Sequence, residues 1–147
     1  MTGGEVSHDH GAGAAERVLE AWAERWSAHD VDHLLPLFTE DVVHEDVTFG
    51  VVNRGPAELR AFAEGVFPAF PDDRFELASR FVAGDRASLE WVLTGTQATL
   101  PGQPTVRKPF SVRGATILEL RAERIRRCTD SWDLATLLKQ LGLMPAG

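Results

Sequence analysis

Proton transfer is the chemistry that the most distinctive side chains of this sequence offer, and they fall in two stretches that read as β-strands. Asp130 lies within Ile125 to Trp132, where an extended backbone puts Cys128, Asp130 and Trp132 on one face and Arg127, Thr129 and Ser131 on the other. A carboxylate between a cysteine and a tryptophan is expected to face an interior or a pocket. Burial there raises a carboxyl pKa towards neutrality, which makes a stronger base and keeps the acid form within reach. One such group can take a proton from carbon and return it to a new alkoxide. Asp133 reads differently, as a short acidic residue that starts the last helix by accepting unpaired backbone N–H groups. In Asp41 to Phe49 the same period puts His44, Asp46 and Thr48 opposite Val43, Glu45, Val47 and Phe49. That polar face is either solvent or a site, and His44 and Asp46 are carried forward as partners of Asp130.

Other residues are candidates for holding a substrate. Trp22 and Trp26 stand four apart on the buried face of a first helix, Ala12 to about Ala28, and are either core aromatics or the wall of an apolar pocket. Phe62 belongs to the buried stripe of a helix from Pro56 to Val66, and Trp132 shares the face of Asp130. Glu90 faces either the pocket or the exposed side of its strand, whereas Arg107 and Arg113 either anchor an acidic or enolised group or, the preferred reading, are solvated sheet charges. His29 and His33 are four apart but read as solvent-facing, and His8, Asp9 and His10 have no flanks to preorganise them. No metal and no cofactor are expected: there is no Gly-rich phosphate loop after a first strand and no metal-type histidine pair.

At 147 residues the chain is long enough for one domain with a real core. A formal charge of −7 argues against a nucleic-acid partner, because backbone binding needs a positive surface. The single cysteine excludes an intrachain disulfide and a cysteine-based zinc site. No apolar run is long enough for a membrane span and the first residues lack the order of a secretion signal, so no membrane association and a cytoplasmic location are expected.

These candidates must be positioned by the elements around them. Residues 1–11 are Gly-rich and expected to be disordered, and 12–147 to form a single domain. Asp30 caps a short helix, Val31 to Phe38, whose last turn Pro36 makes irregular; Gly50 to Asn53 turns the chain. The proline- and aromatic-rich Phe67 to Asp73 suits a loop at a pocket mouth. Strands are expected at Arg74 to Val82, Arg86 to Thr96 and Thr105 to Arg113, with Gly114 a bulge or bend before Val112 to Leu120 leads into the last hairpin. Helices first and a meander afterwards argue for α+β, with a curved, mostly antiparallel sheet wrapped over the N-terminal helices. Apolar residues on both sheet faces, Trp91 among them, predict a homodimer packed through the outer face.

From about Ala15 to Leu143 the chain resembles the SnoaL-like polyketide cyclases, within the cone-shaped fold of nuclear transport factor 2 and the ketosteroid isomerases. The resemblance is carried by Trp26 to Asp30, Glu40-Asp-Val-Val-His-Glu-Asp, Arg54-Gly-Pro-Ala-Glu-Leu-Arg and Phe70-Pro-Asp. Gly84-Asp-Arg, Leu93-Thr-Gly-Thr and Arg124-Ile through Asp130-Ser-Trp-Asp to Lys139-Gln-Leu-Gly-Leu continue it. It implies an α+β barrel with a pocket between sheet and helices. It also implies an acid/base role for Asp130, a proton-shuttling position for Asp46, and for Trp22 the position at which the isomerases place an oxyanion-binding tyrosine. Gln97 stands where the cyclase-like pattern has a histidine, and can hydrogen-bond a substrate without shuttling a proton. The implied activity is cofactor-independent ring closure of a small hydrophobic, polyketide-like substrate in antibiotic or other natural-product biosynthesis. The alternatives are an isomerase or epoxide-opening hydrolase of the same fold, or a noncatalytic dimeric module that binds a small hydrophobe or serves as an adaptor.

Overall fold

The computed structural model describes residues 3–145, with side chains from 13 onward. The expected tail falls partly outside that range: residues 1 and 2 and the side chains of His8, Asp9 and His10 are not described. Helix α1 spans Gly3–Ala28, starting earlier than the expected Ala12. Its buried stripe is Val18, Leu19, Trp22, Ala23 and Trp26, the face that helical periodicity picks out. Asp30 caps α2 (Val31–Leu34) by accepting the N–H groups of Asp32 and His33. Pro36 turns the expected continuation into a single 3-10 turn at Leu35–Leu37.

Six strands follow: β1 (Phe38–Asp46), β2 (Val51–Arg54), β3 (Arg74–Ala83), β4 (Arg86–Gly95), β5 (Phe110–Arg121) and β6 (Arg124–Trp132). Helix α3 (Gly55–Ala69) lies between β2 and β3, and α4 (Leu134–Gln140), capped by Asp133, ends the fold. The sheet order is β2-β1-β6-β5-β4-β3, antiparallel throughout except for the parallel pair β1–β6. β2 and β3 are free edges, so the curved sheet wraps the helices without closing into the expected barrel. α1 packs against β3, and α3 against β1 and β2, on the sheet's inner side.

Several boundaries differ from expectation for local reasons. β1 stops at Asp46, whose Oδ1 accepts the Phe49 N–H at 2.8 Å and turns the chain towards Gly50, which has φ +71°. The stretch read as a turn, Val51 to Asn53, becomes the edge strand β2. Thr105 to Pro109 is not a strand: Pro104 and Pro109 have no N–H to give, and only the isolated bridge Ala98–Val106 forms there.

Gly114 is neither bulge nor bend. It sits in regular register opposite Trp91, and an added Cβ would lie 2.3–2.7 Å from three indole carbons. The missing side chain is the space in which the Trp91 indole lies flat against β5. Trp91 is therefore buried and faces inward, correcting its expected place on the outer face; that face carries Ile117 and Phe81, 50% and 64% exposed. Gly114→Ala must push the indole aside, and urea unfolding is expected to show a loss of about 1–3 kcal/mol with an unchanged m-value.

Candidate active site

The parallel pairing of β1 and β6 assembles the site. It sets His44 beside Cys128 and Asp46 beside Asp130, all with side chains on the inner face. β5 adds Thr116 opposite Asp130, and β2 adds Asn53 opposite His44. Asp130 and Asp46 thus come from adjacent strands at the same level, although they are far apart in sequence.

Asp130 is held by three donors. Thr116 Oγ1 donates to its Oδ1 at 2.7 Å and the Cys128 thiol to the same oxygen at 3.5 Å. Asn53 Nδ2 donates to His44 Nδ1 at 3.1 Å, which puts the imidazole proton on Nε2, and Nε2–H donates to Asp130 Oδ2 at 3.1 Å. Trp91 Nε1 donates to Thr116 Oγ1 at 2.9 Å and so orients that hydroxyl towards the carboxylate. His44 and Cys128 are fully buried behind Asp130 and do not line the cavity.

Asp46 accepts the Phe49 N–H and, at 3.2 Å, the Trp132 indole N–H. Burial raises its pKa; the two hydrogen bonds work against this, and the Asp130 charge adds to it. The Cys128 thiol is pushed well above its ordinary range by burial and then by Asp130, so it is a protonated donor. His44, Cys128 and Asp130 offer three possible metal-ligand atoms within 4.8 Å of one another, a mixed set that counting cysteines cannot reveal. Each of the three already has a hydrogen-bond partner in this network, and the thiol would have to lose its proton to bind an ion.

The cavity holds about 60 Å³ and its apolar lining is mostly aromatic. All four tryptophans of the chain line it, Trp22, Trp26, Trp91 and Trp132, with phenylalanines that include Phe62 and Phe67. Among the described residues its ionisable lining is Asp46, Asp73 and Asp130. Trp22 Nε1 and Trp26 Nε1 are buried and lack a hydrogen-bond partner of acceptable geometry among the described residues. Trp22 nevertheless acts on the neighbouring Cys128 in the direction that lowers the thiol's pKa.

Of the sequence candidates, Asp130, Asp46, Trp22, Trp26, Phe62 and Trp132 line this cavity, with His44 behind them. Glu90 does not. The strand alternation that buries Leu89 and Trp91 turns it outward, where it accepts a hydrogen bond from Ser79. Gln97 lies past the end of β4 and is not part of the lining; Arg107 and Arg113 are exposed. Sequence reasoning missed Asn53 and Thr116, which only strand register brings in. It also missed Asp73 and His29. His29 is not solvent-facing like His33: its Nε2 pairs with Asp73 Oδ1 at 2.5 Å. The one sequence signal for Asp73 was its place in the loop expected at a pocket mouth.

A curved open sheet wrapped on helices around an acid-centred apolar cavity defines the ketosteroid isomerase-like class of fold. The family model described as SnoaL-like polyketide cyclase matches residues 16–141, and the chain belongs to that family. A hypothetical protein of ketosteroid isomerase-like fold from Catenulispora acidiphila, determined with trimethylamine, is 26% identical with a TM-score of 0.76, over 86% of this chain and 93% of that one. A protein assigned as a polyketide cyclase from Pseudomonas putida is 25% identical with a TM-score of 0.72, over 86% and 96%. One assigned as a SnoaL-like polyketide cyclase from Jannaschia is 16% identical, yet its TM-score is 0.80, over 91% and 95%. Curated proteins give no match. Family and fold place the chain among cyclase- and isomerase-like proteins of small hydrophobic substrates.

Burial pushes the Asp73 carboxyl from 3.8 up to about 6, against the lowering effect of His29 and with a further rise from Asp72. Below 3.8 the group is protonated folded and unfolded, and contributes nothing. Between 3.8 and about 6 the unfolded chain gives up the proton first, so this group lowers stability as pH rises, and above that window its effect is constant. Asp46 acts with the same sign, so the comparison with Asp73→Asn isolates Asp73. Urea unfolding of both proteins at several pH values should show the variant gaining on the wild type across that window. A difference that does not vary with pH would remove the shift.

Proposed function

We propose that the chain is a cofactor-independent enzyme that closes a ring in a small hydrophobic, polyketide-like substrate of natural-product biosynthesis, with Asp130 as its acid/base group. The observation that carries this reading is a carboxylate held by three donors in the wall of a mostly aromatic cavity. Asp130 takes a proton from the carbon next to a substrate carbonyl. The resulting enolate carbon attacks a second carbonyl carbon and forms the C–C bond. The alkoxide so generated takes the proton back from Asp130, and all atoms of the substrate are retained.

The oxygen that gathers charge in the first step needs donors. Trp26 holds a buried indole N–H with no acceptor among the described residues, and that of Trp22 has only the neighbouring Cys128 sulfur within its influence. An unmade hydrogen bond costs about 1–3 kcal/mol, which an enolate oxygen would offset. An indole N–H donates without giving up its proton, so these residues stabilise charge while Asp130 moves the proton. His44 keeps the carboxylate in place through Nε2–H. Acid/base assistance is worth about 10²–10⁴-fold, and the rest of the acceleration comes from folding a flexible substrate against the aromatic walls. As closed, the cavity of about 60 Å³ is smaller than the ~150 Å³ that takes benzene, so a ring system enters by displacing Phe62 and Val66 of α3.

Aromatic β-keto esters with a second ketone in reach of aldol closure, followed by mass spectrometry and chromatography, test the reaction. With a compound that turns over, Asp130→Asn should lower kcat by about 10² or more while binding changes by under about tenfold. Near-normal turnover with an unchanged pH profile would reject Asp130, and Asp46→Asn in the same assay would then decide on its neighbour. Pairing of two copies through the outer sheet face is part of the same proposal, since exposed Ile117 lies on β5, one of the two central strands. Sedimentation at micromolar protein should give twice the mass of the chain.

A further inference from the structure

The cavity has an acidic group that the ring-closure chemistry does not use. Asp73 is 5% exposed and lines the same space as Asp130, but comes from the loop between α3 and β3. Its Oδ1 is engaged by His29 Nε2, while Oδ2 accepts no hydrogen bond among the described residues. A free carboxylate oxygen at the surface of an apolar cavity lacks the compensation that buried charge requires. Among the described residues no lysine or arginine supplies it. The charged groups acting on Asp73 are His29, at the end of α1, and Asp72, the preceding residue, whose own oxygens are taken by Thr96.

The backbone is arranged to present this pair. His29 has φ 56°, a left-handed conformation that a non-glycine residue rarely adopts, and its ring stacks on Phe67 at 4.8 Å and 7°. The Phe75 N–H donates to Ser27 Oγ at 2.9 Å, which ties the start of β3 to the same helix end. Ring plane, helix end and loop are thus all fixed around the His29–Asp73 contact.

We propose that Asp73, backed by His29, is a second polar station of the cavity, which accepts a hydroxyl or enol group at the end of the substrate remote from Asp130. The inference rests on the reading of the cavity as a substrate site, and extends it to the substrate's form. β6 and β3 stand three strands apart in the curved sheet, so Asp130 and Asp73 enter the same cavity from different elements. The substrate is then an apolar molecule that carries an oxygen for each of the two carboxylates. The Asp73 carboxyl, held up to about 6 by burial, changes charge around that pH, so the grip on a hydroxyl donor strengthens as pH rises through it.

Two probes separate the stations: 2-naphthol, with oxygen at one end, and 2,6-dihydroxynaphthalene, with oxygen at both. Binding is read by quenching of the four tryptophans, all of which line the cavity. The wild type should bind the diol about tenfold more tightly than 2-naphthol at about pH 7, with a smaller advantage at about pH 5. Asp73→Asn should flatten that pH dependence, and Asp73→Leu should abolish the advantage while 2-naphthol stays within about twofold. If the leucine variant loses its near-UV circular dichroism, His29→Asn replaces it. Asparagine tolerates the left-handed backbone and keeps an N–H donor without taking a proton, and should shift the pH dependence. Equal binding of the two probes to the wild type, or an advantage that persists in folded Asp73→Leu, overturns the proposal. If 2-naphthol binds and Asp130→Asn weakens it while the diol gains nothing, Asp73 falls and the Asp130 site stands. If neither compound quenches, both fall.

Discussion

A carboxylate taken out of water has to be met by donors, and the interior of this protein is arranged around that requirement at Asp130. Thr116, His44 and Cys128 reach it from three strands, and Trp91 and Asn53 orient the first two in turn. Such a chain of hydrogen bonds polarises along its length and leaves little freedom to the ring and hydroxyl positions it connects. Losing any member strands its neighbour in a low-dielectric wall. The parallel step between β1 and β6, unusual in a sheet otherwise antiparallel, exists at the place where this network is assembled.

The aromatic residues fit the same constraint from the other side. Trp22, Trp91 and Phe75 meet edge to face or tilted, with centroids 4.8–6.2 Å apart, and Trp26 packs against Phe62 and Phe67. These contacts exclude water without enclosing much empty space, which strengthens every electrostatic interaction of the carboxylates. Gly114 is what allows the Trp91 ring to lie against the sheet and still reach Thr116.

Side-chain alternation made the inner face legible: Cys128, Asp130 and Trp132 share it, as do His44 and Asp46, and Asp30 and Asp133 cap helices as short acidic residues do. What periodicity cannot carry is register between strands remote in sequence. Asn53 and Thr116 had no local signature, because each matters only through the residue it lies opposite. Glu90 was ambiguous because a strand's two faces are labelled only by what packs on them. Trp91 misled for the same reason: an aromatic in a strand declares that it is buried somewhere, and Gly114 across the ladder decides where. His29 and Asp73 meet through a left-handed residue and a loop, where neither helical nor strand spacing applies.

The open form of the sheet has a consequence for how the chain avoids its own kind. An unclosed sheet leaves two rows of backbone donors and acceptors available for strand addition. β2, at one end, is only four residues long. β3, at the other, is long enough to serve as a template, but its register breaks between Leu77 and Ser79, and Arg80 is drawn inward to Glu16 and Glu20 of α1 at 3.1 and 3.3 Å. A kinked strand with a charge clamped to its inner side is a poor surface for another extended chain to register on. The sheet thereby stays open enough for helices to close over the cavity without offering a flat, continuous edge to aggregation.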